Sequence, residues 1–298
     1  TLAALIPANL NAQVTIADES VSPIPFEEHY DLVGVSVLTG TSTRAYRIAD
    51  YFRKKGAKVV LGGVHVTLLP EEARQHADAI VIGFAEQAWP QLLEDFARGE
   101  LKPVYKQEKI DLKRLAVPRR ELQKKFGYSV PDTVFATRGC RGNCEFCSVV
   151  AAGFGWHTRP VGDVVDEIKT IKANRIAFND VNLTDDPAYA KELFRAMIPL
   201  RKTWGGLATT RIAEDDELLE LLQKSGCRYL LLGFESVDNQ MLRGINKGFN
   251  KYEKYAEVMR KLHEIGIIVQ GCFIFGMDGE DTGIFERTLE AVNALKID

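Results

Sequence analysis

Thr137-Arg138-Gly139-Cys140-Arg141-Gly142-Asn143-Cys144-Glu145-Phe146-Cys147 follows directly on the short apolar run Val134 to Thr137. That run reads as a strand which delivers Cys140 at its end. The spacing C-x3-C-x2-C puts three of the five cysteines within eight residues. Three thiolates this close can ligate one metal centre. Two residues between Cys144 and Cys147 suit a single turn around a cluster, and Gly139 and Gly142 let the backbone come near it. Zinc is the rival reading, but a structural zinc site takes four ligands, and His157 is the available fourth. A chance group of buried thiols is the third. Cys227 and Cys272 stand alone in or beside apolar strands and read as core thiols. An odd cysteine count in a chain of this size speaks against a disulfide framework and for a reducing compartment.

Working outward, the cysteine loop opens a series of strand–helix units. The strands are expected at Val134 to Thr137, Arg175 to Asn179, Gly206 to Thr210, Tyr229 to Phe234 and Ile267 to Phe275. Helical patterns separate them near Gly162 to Ala173, Pro187 to Leu200, Asp215 to Ser225, Lys251 to Ile265 and Thr282 to Leu295. Five such units predict part of a parallel (β/α)6 barrel, whose chemistry gathers at the C-terminal ends of the strands.

Upstream, short Val/Ile/Leu-rich runs at Val14 to Ala17, Leu32 to Val37, Val59 to Leu61 and Ala79 to Ile82 have the composition of strands buried on both faces. Between them lie apolar stripes at helical spacing, one through Ala45, Ile48, Ala49 and Phe52, another through Trp89, Leu92, Leu93 and Phe96. Pro70 suits the first turn of a further helix. The alternation predicts a doubly wound parallel sheet over residues 1–100. Residues 101–131 read as a linker, broken by Pro103, Pro118 and Pro131 and locally basic through Lys102, Lys106, Lys109, Lys113, Arg114, Arg119, Arg120, Lys124 and Lys125. It is either a solvated face or a strap against an anionic ligand. Residues 132–298 form the barrel domain.

The composition agrees with two globular domains. The chain has 298 residues, 46% of them hydrophobic and 27% charged, with a net charge of −3. That balance excludes disorder and argues against a protein that binds nucleic acid by neutralising phosphates. No apolar run approaches the roughly 20 residues of a membrane span. The chain opens at Thr1 in mid-pattern and closes at Asp298 in the last turn of a helical pattern. We therefore expect an α/β protein truncated at both ends, lacking the first strand of one domain and the last strand of the other.

Cys140-x3-Cys144-x2-Cys147, with Phe146 just before the last cysteine, resembles the signature of the radical S-adenosylmethionine (radical SAM) superfamily, and its place after the first barrel strand is similar too. The resemblance implies a 4Fe-4S cluster held by Cys140, Cys144 and Cys147, with one iron open to S-adenosylmethionine (SAM), and reductive cleavage of SAM to a 5′-deoxyadenosyl radical. It implies SAM contacts at Phe146, and at Asp180 and Asn182 in Asn179-Asp180-Val181-Asn182, a stretch that departs from the family's usual Gly-Gly-Glu. Glu235 in Gly233-Phe234-Glu235-Ser236 resembles a SAM-contacting element, and Asn246-Lys247-Gly248 matches a stretch that commonly follows it. Arg211 is placed to grip the SAM carboxylate, or to pair with Glu214 or Asp215 on the surface. Gly276 resembles the glycine that admits adenine, whereas Cys272 replaces another family glycine and Glu280 falls one residue late.

In the first domain, Ser36-Val37-Leu38 and Gly62-Gly63 resemble the Ser-x-Leu and Gly-Gly elements of the flavodoxin-like cobalamin-binding domain. The implied contacts to cobalamin are Ser36, Leu38, Gly62 and Gly63, small residues there leaving room for the nucleotide tail. His65 lies at the same strand-end crevice and is either a cofactor contact or a loop histidine. The element Asp-x-His-x-x-Gly is not in this chain; it would follow a strand upstream of Thr1. Together the resemblances imply a cobalamin-dependent radical SAM enzyme, most simply a methyltransferase for an unactivated centre in a small-molecule or lipid-like substrate. A radical cyclase or rearrangement enzyme, or a methylthiotransferase-like enzyme without cobalamin, are the alternatives. An external electron donor such as flavodoxin or ferredoxin and an oxygen-poor cytoplasm complete the expectation.

Overall fold

The computed structural model describes residues 1–107, 110–124 and 126–298. Lys109 and Lys125 of the basic stretch lie outside the described residues. The chain divides into two compact units, one of residues 1–129 with 151–153, the other of residues 130–150 with 154–298.

The first unit runs β1 (Leu32–Ser36), α1 (Ser42–Lys54), β2 (Lys58–Gly62), α2 (Val64–Leu68), α3 (Pro70–Ala73), β3 (Ala79–Ile82), α4 (Ala88–Ala97) and β4 (Val104–Lys106). Its sheet has the order β1-β2-β3-β4, all parallel. Side chains alternate across a strand, so β2 sends Val59 and Leu61 to one face and Val60 to the other. Two cores result. Val59, Leu61 and Ile80 pack with Ala45, Ala49 and Phe52 of α1, while Val60, Ala79 and Val81 pack with Trp89, Leu92 and Leu93 of α4. Both faces are therefore covered, as a doubly wound sheet requires.

Two expectations change here. Val14 to Ala17 joins no sheet, and Ile16 is exposed. Strand propensity makes a strand only where a neighbour supplies the hydrogen-bond ladder. Conversely, Val104–Lys106 lies inside the stretch read as linker yet adds a fourth strand, with Tyr105 buried in the core of α4. A run of three residues after Pro103 is too short to show a period.

The second unit runs β5 (Thr133–Val134), β6 (Thr137–Gly139), α5 (Ser148–Ala151), β7 (Trp156–Thr158), α6 (Val161–Thr170), β8 (Arg175–Phe178), α7 (Pro187–Met197), β9 (Thr203–Ala208), α8 (Asp216–Ser225), β10 (Cys227–Glu235), α9 (Asn239–Gly244), α10 (Tyr252–Glu264), β11 (Ile268–Phe273) and α11 (Ile284–Leu295). Five parallel strands lie in the order β5-β8-β9-β10-β11, which is chain order, so the sheet is a barrel arc. One core fills the helix side: Leu230, Leu232 and Phe234 of β10 pack with Phe178, Leu193, Leu222, Tyr255 and Leu262. Among the described residues no helix is long and apolar enough to cross a membrane.

Candidate functional site

The run Val134 to Thr137 is not one strand. β5 leaves the parallel sheet after Val134, and β6 pairs antiparallel with β7 instead. Asp180, just past β8, directs this exit. Its carboxylate is buried and accepts the Ala136 N–H at 3.0 Å, the Thr137 hydroxyl at 2.7 Å and the Thr137 N–H. Burial pushes its pKa up to about 6, against the pull of these donors. Asp180 thus braces the strand that carries the cysteines.

β6 and β7 close the cysteine loop at its base. Gly139 has φ +76°, and a Cβ there would lie 1.7 Å from the Gly155 carbonyl oxygen. Only glycine allows that approach. Cys140 N–H then donates to the same oxygen at 3.0 Å. The segment after β8 clamps the loop from one side. Asp185 accepts the Arg141 N–H at 2.6 Å and the Asn182 side-chain N–H at 3.1 Å, and Asp186 accepts from the Arg141 guanidinium at 2.9 Å. That guanidinium stacks on Trp156, 3.9 Å from the ring centroid. On the other side Glu145 N–H donates to the Ile245 carbonyl at 3.2 Å.

Within this frame Cys140, Cys144 and Cys147 are half-buried free thiols. A Cβ at Gly142 would lie 3.2 Å from Cys140 Sγ and 4.0 Å from Cys144 Sγ, so both sulfurs flank that glycine. Burial pushes the Cys140 and Cys144 thiols up; Lys247 pulls Cys144 down, and its neighbours Cys147 and Glu235 push it up. Among the described residues no three His, Cys, Asp or Glu side chains close on a single ion, and His157 Nε2 faces the Phe154 carbonyl at 3.1 Å. Three half-buried thiols lie on this one loop; a cluster with one open corner takes three cysteine ligands, whereas a structural zinc ion takes four.

Glu235 ends β10 at a bulge, with φ +68°, which turns its carboxylate over Gly233. There it meets Lys247 in an ion pair in which both residues are 6% exposed. Lys247 also lies 5.9 Å from the centroids of Phe146 and Phe249. Asn250 holds the strand end by donating to the carbonyls of Gly233 and Phe234 at 2.9 and 3.0 Å. The structure therefore gathers Cys144, Phe146 and Glu235, together with Lys247, at the C-terminal ends of the strands. Lys247 is a site residue that the sequence reading left unassigned, although it lies in the matched Asn246-Lys247-Gly248. Phe146 is 47% exposed. Asn182 is buried. Arg211 is exposed, 3.8 Å from Glu214 and over the Phe249 ring. Gly276, with φ +87°, forms a turn whose N–H donates to Glu280 at 2.7 Å. Cys227 is a core thiol, pushed up to about 12 by burial. Cys272 is not: it is half-buried and feels the charges of Glu235 and Lys247, because its alternate strand position faces away from the helices.

In the first unit the ends of β1 and β2 interlock. Val37 N–H donates to the Gly62 carbonyl at 2.8 Å and His65 N–H to the Val37 carbonyl at 3.2 Å. Gly63 has φ +103°, and a Cβ there would fall 2.7 Å from the Val37 oxygen. Ser36 and Leu38 line a cavity of about 1030 Å³ with Val35, Ile48, Phe52 and Arg44. Leu38 is 59% exposed. His65 is buried and turned inward. Asp18, Glu19, Arg119 and Arg120 also line the cavity, whereas Gly62 and Gly63 do not; a cavity of mixed apolar and charged lining fits a bulky amphipathic group such as a nucleotide tail.

The Radical SAM superfamily model matches residues 134–292, and the B12 binding domain model matches residues 7–93. The chain belongs to the radical SAM superfamily. It is similar to bacteriochlorophyllide d C-12(1)-methyltransferase of Chlorobaculum tepidum, 32% identical over 96% of this chain and 66% of that protein. It is 34% identical to the C-8(2)-methyltransferase of the same organism, over 85% of this chain and 60% of that protein. The chain thus spans about two thirds or less of these relatives. Its fold is that of the radical SAM methyltransferase TsrM from Kitasatospora setae, a structure with cobalamin and a [4Fe-4S] cluster bound, at a TM-score of 0.74 and 20% identity over 92% of this chain and 64% of that one.

Proposed function

We propose that this chain carries the two cofactor units of a cobalamin-dependent radical SAM methyltransferase. Cys140, Cys144 and Cys147 would hold a [4Fe-4S] cluster in the second unit, and the strand ends of the first unit would hold cobalamin. When bound, these groups supply one-electron cleavage of SAM and carriage of a methyl group. The chain's own residues position the reactants. Asp180, Asp185 and Asp186 hold the cysteine loop against the strand ends. The Glu235–Lys247 pair presents one negative and one positive group to an amino acid moiety such as that of SAM. Arg211, exposed and over the Phe249 ring that Lys247 also approaches, would grip a carboxylate in place of Glu214. Phe146 and the Gly276 turn are apolar and backbone surfaces suited to adenine. In the first unit Ser36, Leu38, Gly62 and Gly63 would line the cofactor slot.

The observation that carries the reading is a C-x3-C-x2-C loop gathered with a buried Glu–Lys pair at the mouth of a barrel arc, in a chain that also matches a B12 binding domain. The names of the two similar methyltransferases favour methyl transfer over cyclisation, and chlorophyllide-type tetrapyrroles are the first substrates to test. A reduced flavodoxin or ferredoxin would supply electrons. The test is anaerobic reconstitution with iron, sulfide and cobalamin, followed by assay with methyl-labelled SAM and a tetrapyrrole panel. We expect 5′-deoxyadenosine, a corrin spectrum and labelled product. A protein that takes up zinc and no iron would defeat the proposal.

A further inference from the structure

His65 is 2% exposed and joins three elements of the first unit. Its Nδ1 lies 3.2 Å from the Thr39 hydroxyl, in the turn after β1. Its Nε2 lies 2.9 Å from the Tyr46 hydroxyl on α1 and 3.3 Å from Glu72 Oε1 on α3. The Thr39 and Tyr46 hydroxyls can each donate or accept, so each ring nitrogen has a partner whichever of them carries the proton. The Tyr46 ring stacks on His76 with centroids 4.3 Å apart. Both imidazole nitrogens are thus engaged within the unit, and neither is left for a cofactor.

The backbone of His65 binds the Val37 carbonyl, while its side chain binds Thr39. One residue therefore ties the loop that carries Ser36 and Leu38 to the loop that carries Gly62 and Gly63. We infer that His65, with Tyr46 and Glu72, is a positioning group that locks these two loops together beside the cavity lined by Ser36 and Leu38, so that the cavity is pre-formed for a cobalamin nucleotide tail, without touching the corrin or its cobalt. The inference rests on the cobalamin reading proposed above. Pre-forming the slot removes the ordering cost that binding would otherwise bear.

The test is equilibrium binding of hydroxocobalamin to the cluster-reconstituted chain, with SAM binding measured in parallel. His65→Ala and Tyr46→Phe should weaken cobalamin binding tenfold or more while SAM affinity stays within twofold. His65→Gln, whose amide can still donate toward Tyr46 and Glu72, should recover most of the loss. Tyr46→Phe keeps the ring on His76 and decides the matter if a His65 variant does not fold. The electron paramagnetic resonance spectrum of the bound cob(II)alamin should show no splitting from a protein imidazole. Unchanged cobalamin binding in Tyr46→Phe and His65→Ala would overturn the inference, as would an imidazole splitting that His65→Gln removes. If the parent chain binds no cobalamin, the cobalamin reading itself fails, which is a separate and earlier result.

Discussion

Glu235 and Lys247 form an ion pair closed off from solvent directly over Gly233, where a Cβ would lie 2.1 Å from Glu235 Oε1 and 2.6 Å from Lys247 Nζ. The missing side chain of Gly233 is the space in which the pair sits. A left-handed, non-glycine Glu235 is held there by its own carbonyl, which accepts the Ile274 N–H at 2.8 Å. Such backbone strain costs on the order of 1–3 kcal/mol and persists where the surroundings over-determine it. The pair also lies within reach of Cys144 and Phe146, so it links the cysteine loop to the strand ends.

Gly233→Ala should therefore expel the pair. We expect SAM affinity of the reconstituted protein to fall tenfold or more, with iron content unchanged. Equilibrium dialysis and iron analysis separate the two. A variant that binds SAM at parent strength would show that the pair plays no part in the site.

Breaking the pair from one side leaves a buried charge. Glu235→Gln or Lys247→Met alone should cost roughly 3–5 kcal/mol, whereas the double variant should be less destabilised than the sum. A double-mutant cycle on unfolding midpoints reads the coupling directly. Additive losses would contradict the buried pairing.

Asp180 gives a pH dependence of defined sign. In the folded chain burial raises its pKa to about 6, from an ordinary 3.8. Its stabilising contribution is full below the unfolded value and is lost as pH rises through 6. A shift of this size corresponds to about 3 kcal/mol. Asp180→Asn, which cannot ionise, should lose correspondingly less stability than the parent between pH 4 and 7, measured as the pH slope of the thermal midpoint.

Cys144→Ala should fold, with a far-ultraviolet spectrum like the parent's, yet hold less than half of the parent's iron after reconstitution. Reductive formation of 5′-deoxyadenosine should drop below a hundredth of the parent rate, read by chromatography. Gly139→Ala should lose iron by another route. Its Cβ would strike the Gly155 carbonyl and open the base of the loop, lowering the thermal midpoint as well.

The residue pattern alone placed the longer helices and four of the five parallel strands of the second unit, because apolar periodicity is local and each helix here carries its stripe within four turns or fewer. It also singled out Cys140, Cys144 and Cys147, whose spacing is a property of the chain. It could not reveal that β6 swings out of the sheet, since that turn depends on the Asp180 carboxylate over forty positions downstream. Val14 to Ala17 and Val104–Lys106 exchanged roles for a similar reason: a ladder partner, not propensity, makes a strand. Tertiary structure alone turned His65 inward, left Cys272 on the open face while burying Cys227, and brought Lys247 onto Glu235. Each of these depends on which distant group fills the neighbouring space, and a linear sequence does not encode that distance.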